Sequence, residues 1–177
     1  METIFHKVLI QAEAHTIYEA ITTQKGLSSW WIENCDVKAE TGYVNTFSIE
    51  GYESTKMKII RLNPDKKVIW KCVAGDKEWK GTKLSFTIER GENASILKFK
   101  HSKWKRQSDF YATCNFHWAR HLLILKEYCE KGQSTLHPKK EKEEVKKVNA
   151  IISTSSNPKK ASQKAKKSNI KVAKRQQ

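Results

Sequence analysis

The stretch that decides the fold is QSDFYATCNFHWARHLLILKEYCEKG, residues 107–132. Its apolar residues recur at spacings of three and four, which is the period of an amphipathic α-helix. The stripe consists of Phe110, Cys114, Trp118, His121, Leu122, Leu125 and Cys129. Gly132 follows it as a natural helix stop. A helix of about 24 residues is about 36 Å long, so the rest of the chain must supply a wide apolar surface against which it can pack.

The segment before this helix alternates between apolar and polar residues, which predicts strands. The strands are expected at 35–40, 43–50, 55–63, 67–74, 79–90 and 94–102. Turn residues such as Gly42, Gly51 and Gly75 separate them. In the last two strands one face is apolar and the other is basic, which is typical of an antiparallel sheet that is solvated on one side.

The N-terminal part supplies one more strand and two short helices. Residues 3–11 alternate as a strand. Ile17, Ala20 and Ile21 have helical spacing after a possible cap at His15 or Thr16, and residues 24–29 predict a second short helix. Sequential strands are usually neighbours, and the first strand pairs most simply with the last. The sequence therefore predicts an α+β fold in which a curved seven-stranded antiparallel sheet wraps around the long C-terminal helix.

Composition divides the chain at Gly132. All Trp, Tyr and Phe residues lie before residue 129. Residues 1–132 contain 21 of the 34 Lys and Arg residues and 16 of the 19 Asp and Glu residues, a net charge of +5. Residues 133–177 contain the other 13 basic and 3 acidic residues, a net charge of +10. We therefore expect a folded domain at 1–132 and a disordered Lys-rich tail at 133–177, because such a tail cannot bury enough apolar surface to order itself.

The cysteines and the hydropathy indicate a cytoplasmic protein. Cys35, Cys72, Cys114 and Cys129 are far apart in the sequence and form no CxxC pair. The first residues read as a strand rather than as an export signal, and no apolar stretch reaches the length of a membrane span. The thiols are therefore expected to be reduced and to pack as small buried hydrophobic groups.

The chain resembles the START-like superfamily (SRPBCC, Bet v 1-like), and within it the homologues of the activator of the ninety-kilodalton heat-shock-protein ATPase (AHSA-type). The resemblance rests on IYEAITTQKGLSSWW at 17–31, WKGTKLSF at 79–86, a strand that ends in His101, and HWA with LLILKEY in the final helix. It spans nearly all of 1–132 and implies the helix-grip fold. Members of this superfamily include lipid carriers, polyketide cyclases and hormone receptors, so the resemblance does not fix a function.

The aromatic residues provide the candidate site. A sheet that grips one helix is hard to fill completely, and aromatic walls with a few polar groups suit a flat or chain-like apolar ligand. The predicted ligand-cavity residues are Trp31, Phe47, Trp70, Trp79, Phe86, Phe99, His101, Cys114, Trp118 and His121. Among them His101 is a candidate acid or base, or a polar group that orients the ligand.

Other chemistry finds little support in the sequence. It contains no GxSxG, HExxH, P-loop or GxGxxG motif. His117 and His121 are four residues apart on one helix, but no further metal ligand is evident. We therefore expect no metal, no cofactor and no catalytic residue.

The basic tail suggests a second kind of partner. Its final residues carry Lys159, Lys160, Lys164, Lys166, Lys167, Lys171, Lys174 and Arg175 without an acidic residue. Such a run attracts nucleic-acid phosphates without selecting a sequence, or simply keeps the protein soluble.

Three functions remain open at this point. The domain binds a small apolar ligand, or it regulates a heat-shock ATPase as a chaperone partner, or it is a cyclase- or hydrolase-type enzyme that uses His101.

Overall fold

The computed structural model describes residues 1–133. Its elements are β1 (Glu2–Ile10), α1 (Ala14–Thr22), α2 (Gln24–Trp30), β2 (Cys35–Asp36), β3 (Val44–Phe47), β4 (Thr55–Asn63), β5 (Lys67–Ala74), β6 (Lys83–Arg90), β7 (Ser95–Trp104) and α3 (Asp109–Lys131). The tail predicted at 133–177 lies, apart from Gln133, outside the described residues. The domain boundary and the disorder of the tail therefore stay predictions.

The seven strands form one antiparallel sheet in the order β1-β7-β6-β5-β4-β3-β2. Consecutive strands from β2 to β7 are hydrogen-bonded neighbours, and β1 pairs with β7, so that Ile4 lies opposite His101 and Ile10 opposite Ser95. The predicted helix-grip fold, with a curved sheet and a long C-terminal helix, is confirmed.

Helix α3 buries five of the seven residues of the predicted stripe, while Phe110 and His121 are half-buried. Cys114, Trp118, Leu122, Leu125 and Cys129 are buried. The hydroxyl of Ser108 accepts a hydrogen bond from the Tyr111 amide at the start of the helix, and Gly132 ends it with φ 68°. This left-handed conformation is one that glycine adopts without a Cβ penalty.

Three predicted strands are shorter in the structure. The strands predicted at 35–40 and 43–50 are only Cys35–Asp36 and Val44–Phe47, and residues 48–54 form the loop before β4. The strand predicted at 79–90 begins at Lys83, because the Thr82 amide donates to the Trp79 carbonyl and Gly81 takes φ 92° in a turn. Strands β4 and β5 have the predicted bounds.

The cysteines are buried and unpaired with one another. Burial raises the pKa of Cys72 to about 11 and that of Cys129 to about 12, so these thiols stay neutral. None of the helices in residues 1–133 has the length and apolarity that crossing a membrane requires.

Candidate ligand-binding pocket

A pocket of about 580 Å³ opens beside α3, between the end of α2, the loop 48–54 and the turn that follows β5. Aromatic rings supply most of its wall, and a few polar groups lie among them. The lining residues are Trp31, Ile32, Phe47, Ile49, Tyr52, Glu53, Thr55, Asp76, Trp79, Phe110, Cys114, His117, Trp118 and His121.

The aromatic wall is built around Trp31, the residue that follows α2. Its ring centroid lies 4.3 Å from that of Phe47 and 5.3 Å from that of Trp118. The ring of Trp79 stacks against Trp118 at 6.1 Å, with an angle of 15° between the planes. Ring pairs at such distances attract each other beyond their apolar burial, so the wall is a packed surface rather than a set of independent side chains.

Cys114 lies between these rings on α3. The indole N–H of Trp79 donates to its Sγ at 3.2 Å. Burial raises the pKa of the Cys114 thiol to about 11, and the nearby carboxylates of Asp76 and Glu78 raise it further, against the opposing effect of the Trp79 hydrogen bond. The neutral thiol is therefore a weak acceptor that fixes Trp79, and not a nucleophile.

His101 is at the centre of a hydrogen-bond chain behind the pocket. The indole N–H of Trp118 donates to its Nδ1 at 3.1 Å. Because an indole nitrogen only donates, Nδ1 is the acceptor and the proton of the neutral ring is on Nε2. Nε2 then donates to the Thr82 hydroxyl at 2.8 Å, and that hydroxyl donates to the Trp79 carbonyl at 2.6 Å.

This chain ties two wall residues, Trp118 and Trp79, to the sheet. Burial lowers the pKa of His101 to about 3, so the ring is neutral at physiological pH. Both ring nitrogens are occupied by core partners, and His101 does not line the pocket. The geometry therefore gives His101 the role of positioning the wall and offers no support for acid–base chemistry on a ligand.

The ten residues predicted for the cavity divide into two groups. Trp31, Phe47, Trp79, Cys114, Trp118 and His121 line the pocket. Four others do not: Trp70, Phe86, Phe99 and His101. All four are at most 1% exposed, because Trp31 packs over Trp70 and Trp118 packs over Phe99, so they form the layer behind the wall.

The two histidines of α3 both lie at the pocket. The Nδ1 of His121 is buried without a hydrogen-bond partner. Burial, with smaller contributions from His117 and Arg120, lowers the pKa of His121. Within residues 1–133 no cluster of three or more His, Cys, Asp or Glu side chains has the arrangement of a metal site.

Sequence reasoning missed the residues at the mouth of the pocket. Ile49, Tyr52 and Glu53 belong to the loop 48–54, and Asp76 belongs to the turn after β5. Ile49 and Tyr52 are 53% and 78% exposed. Two exposed apolar residues in a loop that contains Gly51 are the signal that could have placed this loop at a site. Ile32, Thr55, Phe110 and His117 complete the set that was not predicted.

A second cavity, of about 640 Å³, lies at the other end of the sheet, where α1 begins beside the β4–β5 turn. Most of its lining residues are polar or charged, among them Lys66, Lys67 and Arg90. His15 and Asp65 bridge it with an Nδ1–Oδ1 distance of 3.0 Å. None of the residues predicted for the ligand cavity lies there, so the aromatic pocket is the candidate site.

Comparison with known proteins gives the family. Residues 11–130 match the model of the Activator of Hsp90 ATPase homolog 1-like protein family. The Aha1 dimer from Colwellia psychrerythraea, known from a solution structure, is 37% identical over 76% of this chain and 100% of that chain, with a TM-score of 0.69. No curated protein matches the chain.

More distant structures share the fold alone. MLL2253 from Mesorhizobium loti is 16% identical over 71% of this chain and 95% of that chain, with a TM-score of 0.64. SSP2350 from Staphylococcus saprophyticus is 18% identical over 75% and 95%, with a TM-score of 0.62. Because the family model covers most of the described domain and agrees with its fold, the chain belongs to the Activator of Hsp90 ATPase homolog 1-like family.

Proposed function

We propose that the domain binds a small, largely apolar molecule in the aromatic pocket beside α3. The observation that carries the proposal is the pocket itself: about 580 Å³, walled by Trp31, Trp79 and Trp118. Small-molecule sites in proteins typically have volumes of roughly 300–1,000 Å³ and apolar, aromatic walls with few polar groups. The hydrogen-bond chain through His101 holds two of these rings in place, so the wall is prepared before a ligand arrives.

Native mass spectrometry of the full chain tests this function. A co-purifying small molecule that is lost on denaturation supports it and gives the mass of the ligand. Ile49→Ser, at the pocket mouth, should weaken binding. Ile60→Ser is the control, because Ile60 is similarly exposed (41% against 53%) but does not line the pocket. Equal loss in both variants, or no binding of any apolar probe, would count against the proposal.

A second candidate is regulation of a heat-shock ATPase. It is favoured by the family model and by the 37% identity with an Aha1 protein. The test measures the ATPase rate of the heat-shock protein with and without the full chain. Stimulation, together with retention in a pull-down at micromolar concentration, supports this candidate, and no change in rate with no retention contradicts it.

The basic tail adds a proposal that rests on sequence only. Residues 158–177 carry eight Lys and Arg residues and no acidic residue. We expect nonspecific contact with nucleic acid, whose affinity falls steeply with salt because counterions are released. Removal of residues 158–177 should abolish binding to a random-sequence duplex at low salt. Retention of the affinity and of its salt dependence would assign the contact elsewhere.

A further inference from the structure

The charge of the aromatic pocket differs from that of the domain around it. Residues 1–132 carry a net charge of +5. The pocket, however, is lined by two carboxylates, Glu53 and Asp76, and by no lysine or arginine. Lys77 and Lys80 belong to the same turn as Asp76, but both are exposed and neither lines the pocket. Apart from its two histidines, the lining therefore has a formal charge of −2 in a basic protein.

Both carboxylates are exposed at the rim of the pocket, and the charge of Asp76 also reaches its interior. Asp76 contributes to raising the pKa of Cys114, which is buried among the aromatic rings. One Asp76 oxygen also accepts the Glu78 amide at 2.7 Å, so the carboxylate is held in place by its own turn. A fixed negative charge beside a low-dielectric wall attracts a cation more strongly than it would in open solvent.

The aromatic faces act in the same direction. Six of the lining residues are Trp, Tyr or Phe. The face of an aromatic ring is negative and attracts cations, most strongly for Trp. Tyr52, which is 78% exposed, and Glu53 both line the pocket, so the lining there offers an aromatic ring as well as a carboxylate.

We propose that this pocket selects an organic cation, a molecule that joins an apolar body to a positively charged nitrogen, over a carboxylate or other anion of the same size. The proposal rests on the ligand-binding function above and specifies the class of its ligand. The apolar body lies against Trp31, Trp79 and Trp118, and the charged nitrogen lies toward Glu53 and Asp76. A fatty acid would instead bring a third carboxylate to the two that are present.

Three probes with the same apolar body separate charge from hydrophobicity: 4-phenylbutylamine, 4-phenylbutanol and 4-phenylbutanoate at pH 7. Their binding to the full chain is followed by NMR at the indole N–H signals of Trp31, Trp79 and Trp118, which reports on the pocket alone. We expect the amine to bind most tightly and the carboxylate at least about tenfold more weakly. The basic tail would favour the anion, so it works against the expected order.

Variants assign the preference to the two carboxylates. Glu53→Gln and Asp76→Asn should each reduce the affinity for the amine several-fold and leave that for the alcohol unchanged. Asn at 76 keeps an oxygen that can accept the Glu78 amide, so the turn is preserved. Glu50→Gln is the control, since Glu50 is an exposed acid of the same loop that does not line the pocket.

The outcomes distinguish this inference from the function on which it rests. Equal binding of the three probes, or strongest binding of the carboxylate, overturns the cation preference and leaves ligand binding intact. Failure of all three probes, the alcohol included, contradicts the ligand-binding function and the preference with it. An unchanged amine affinity in both carboxylate variants also overturns the inference.

Discussion

His101 shows how one buried polar residue can support an apolar site without touching its ligand. Both of its ring nitrogens are bonded, and the bonds connect Trp118 on α3 with Thr82 and the Trp79 turn. A buried donor that loses its partner costs free energy, whereas a fully bonded network fixes one arrangement of the core. The sequence placed His101 on the inward face of β7, but it could not tell whether the ring faces a cavity or a neighbouring side chain.

Replacing His101 should destabilise the domain and disturb the pocket together. In His101→Phe the Trp118 indole N–H loses its acceptor, and we expect the free energy of unfolding to fall by about 1–3 kcal/mol. Urea unfolding measures this change. His15→Phe is the control, because His15 is exposed and pairs only at the surface. A loss in His101→Phe no larger than in His15→Phe would show that the network contributes nothing.

The same histidine should make stability depend on pH. The pKa of His101 is about 3 in the folded domain and 6.5 when unfolded, so the unfolded state binds the extra proton between these values. Stability is therefore complete above pH 6.5 and falls as the pH drops toward 3, by up to about 1.4 kcal/mol per pH unit from this residue. Unfolding measured from pH 7 to 4 should have a shallower slope in His101→Phe. Identical slopes would contradict the assignment.

Helices α1 and α2 meet at a contact that only glycine permits. A Cβ on Gly26 would lie 2.5 Å from the Ala20 carbonyl oxygen and 2.6 Å from the Ala20 Cα. In the same contact the Trp30 indole N–H donates to that carbonyl at 2.9 Å. This close packing sets the direction in which α2 ends, and therefore where Trp31 enters the pocket.

Gly26→Ala should destabilise the domain, although replacing glycine with alanine inside a helix usually stabilises a protein. Alanine in a helix interior normally stabilises by about 1 kcal/mol relative to glycine. Here the two helix backbones would have to separate, so we expect a loss of about 1–3 kcal/mol, as for other overpacked cores, and an altered Trp fluorescence spectrum. Ser28→Ala, in the same helix and half-buried, should change stability little. A more stable Gly26→Ala would refute the close contact.

At the level of elements, the sequence predicted those helices and strands whose apolar residues recur with a clear period. The long helix, β4 and β5 follow directly from their apolar spacing, and the pairing of β1 with β7 follows from their order in the chain. The stretch between Trp31 and Thr55 was assigned too much strand, because Val37 packs against the core outside any strand and Ile49 lines the pocket from the loop 48–54. The mouth of the pocket lies in this stretch, so it was missed for the same reason.

Across the whole molecule, the outer face of the sheet concentrates positive charge. Lys58, Lys71 and Lys83 lie opposite one another on β4, β5 and β6, a row of three lysines across the strands. Like charges in direct cross-strand register are destabilising. The face thus carries a repulsion that the aromatic core on the other side of the sheet has to offset.

Reversing the central charge of this row should stabilise the domain. Lys71→Glu turns the repulsion with Lys58 and with Lys83 into attraction. We expect the free energy of unfolding to rise by about 0.5–1 kcal/mol at low ionic strength. The gain should shrink in 1 M salt, which screens the charges. Lys77→Glu serves as the control, since Lys77 is exposed in the turn after β5 and outside the row. Thermal unfolding at two salt concentrations measures both variants. A gain that is equal in both would mean that only net charge matters.

The sequence does not show which inward-facing aromatic residues line the pocket and which lie behind its wall. Trp70, Phe86 and Phe99 have the same aromatic character and the same inward register as Phe47, yet they lie behind the wall while Phe47 lines it. The difference is one of depth in the curved sheet, and depth depends on how far Trp31 and Trp118 reach across it. Strand alternation gives the face of a residue but not the layer to which it belongs.

The pairing of β1 with β7 has a consequence for the order of events during synthesis. Glu2 lies opposite Trp104, so β1 is synthesised long before the strand with which it pairs. At roughly 5–20 residues per second, β1 waits roughly 5–20 s with Ile4 and Ile10 uncovered, and the sheet then closes only when α3 follows. The nascent domain is therefore most prone to aggregate just before α3 emerges, and a stalled ribosome in that interval would leave a strand edge open to neighbouring chains.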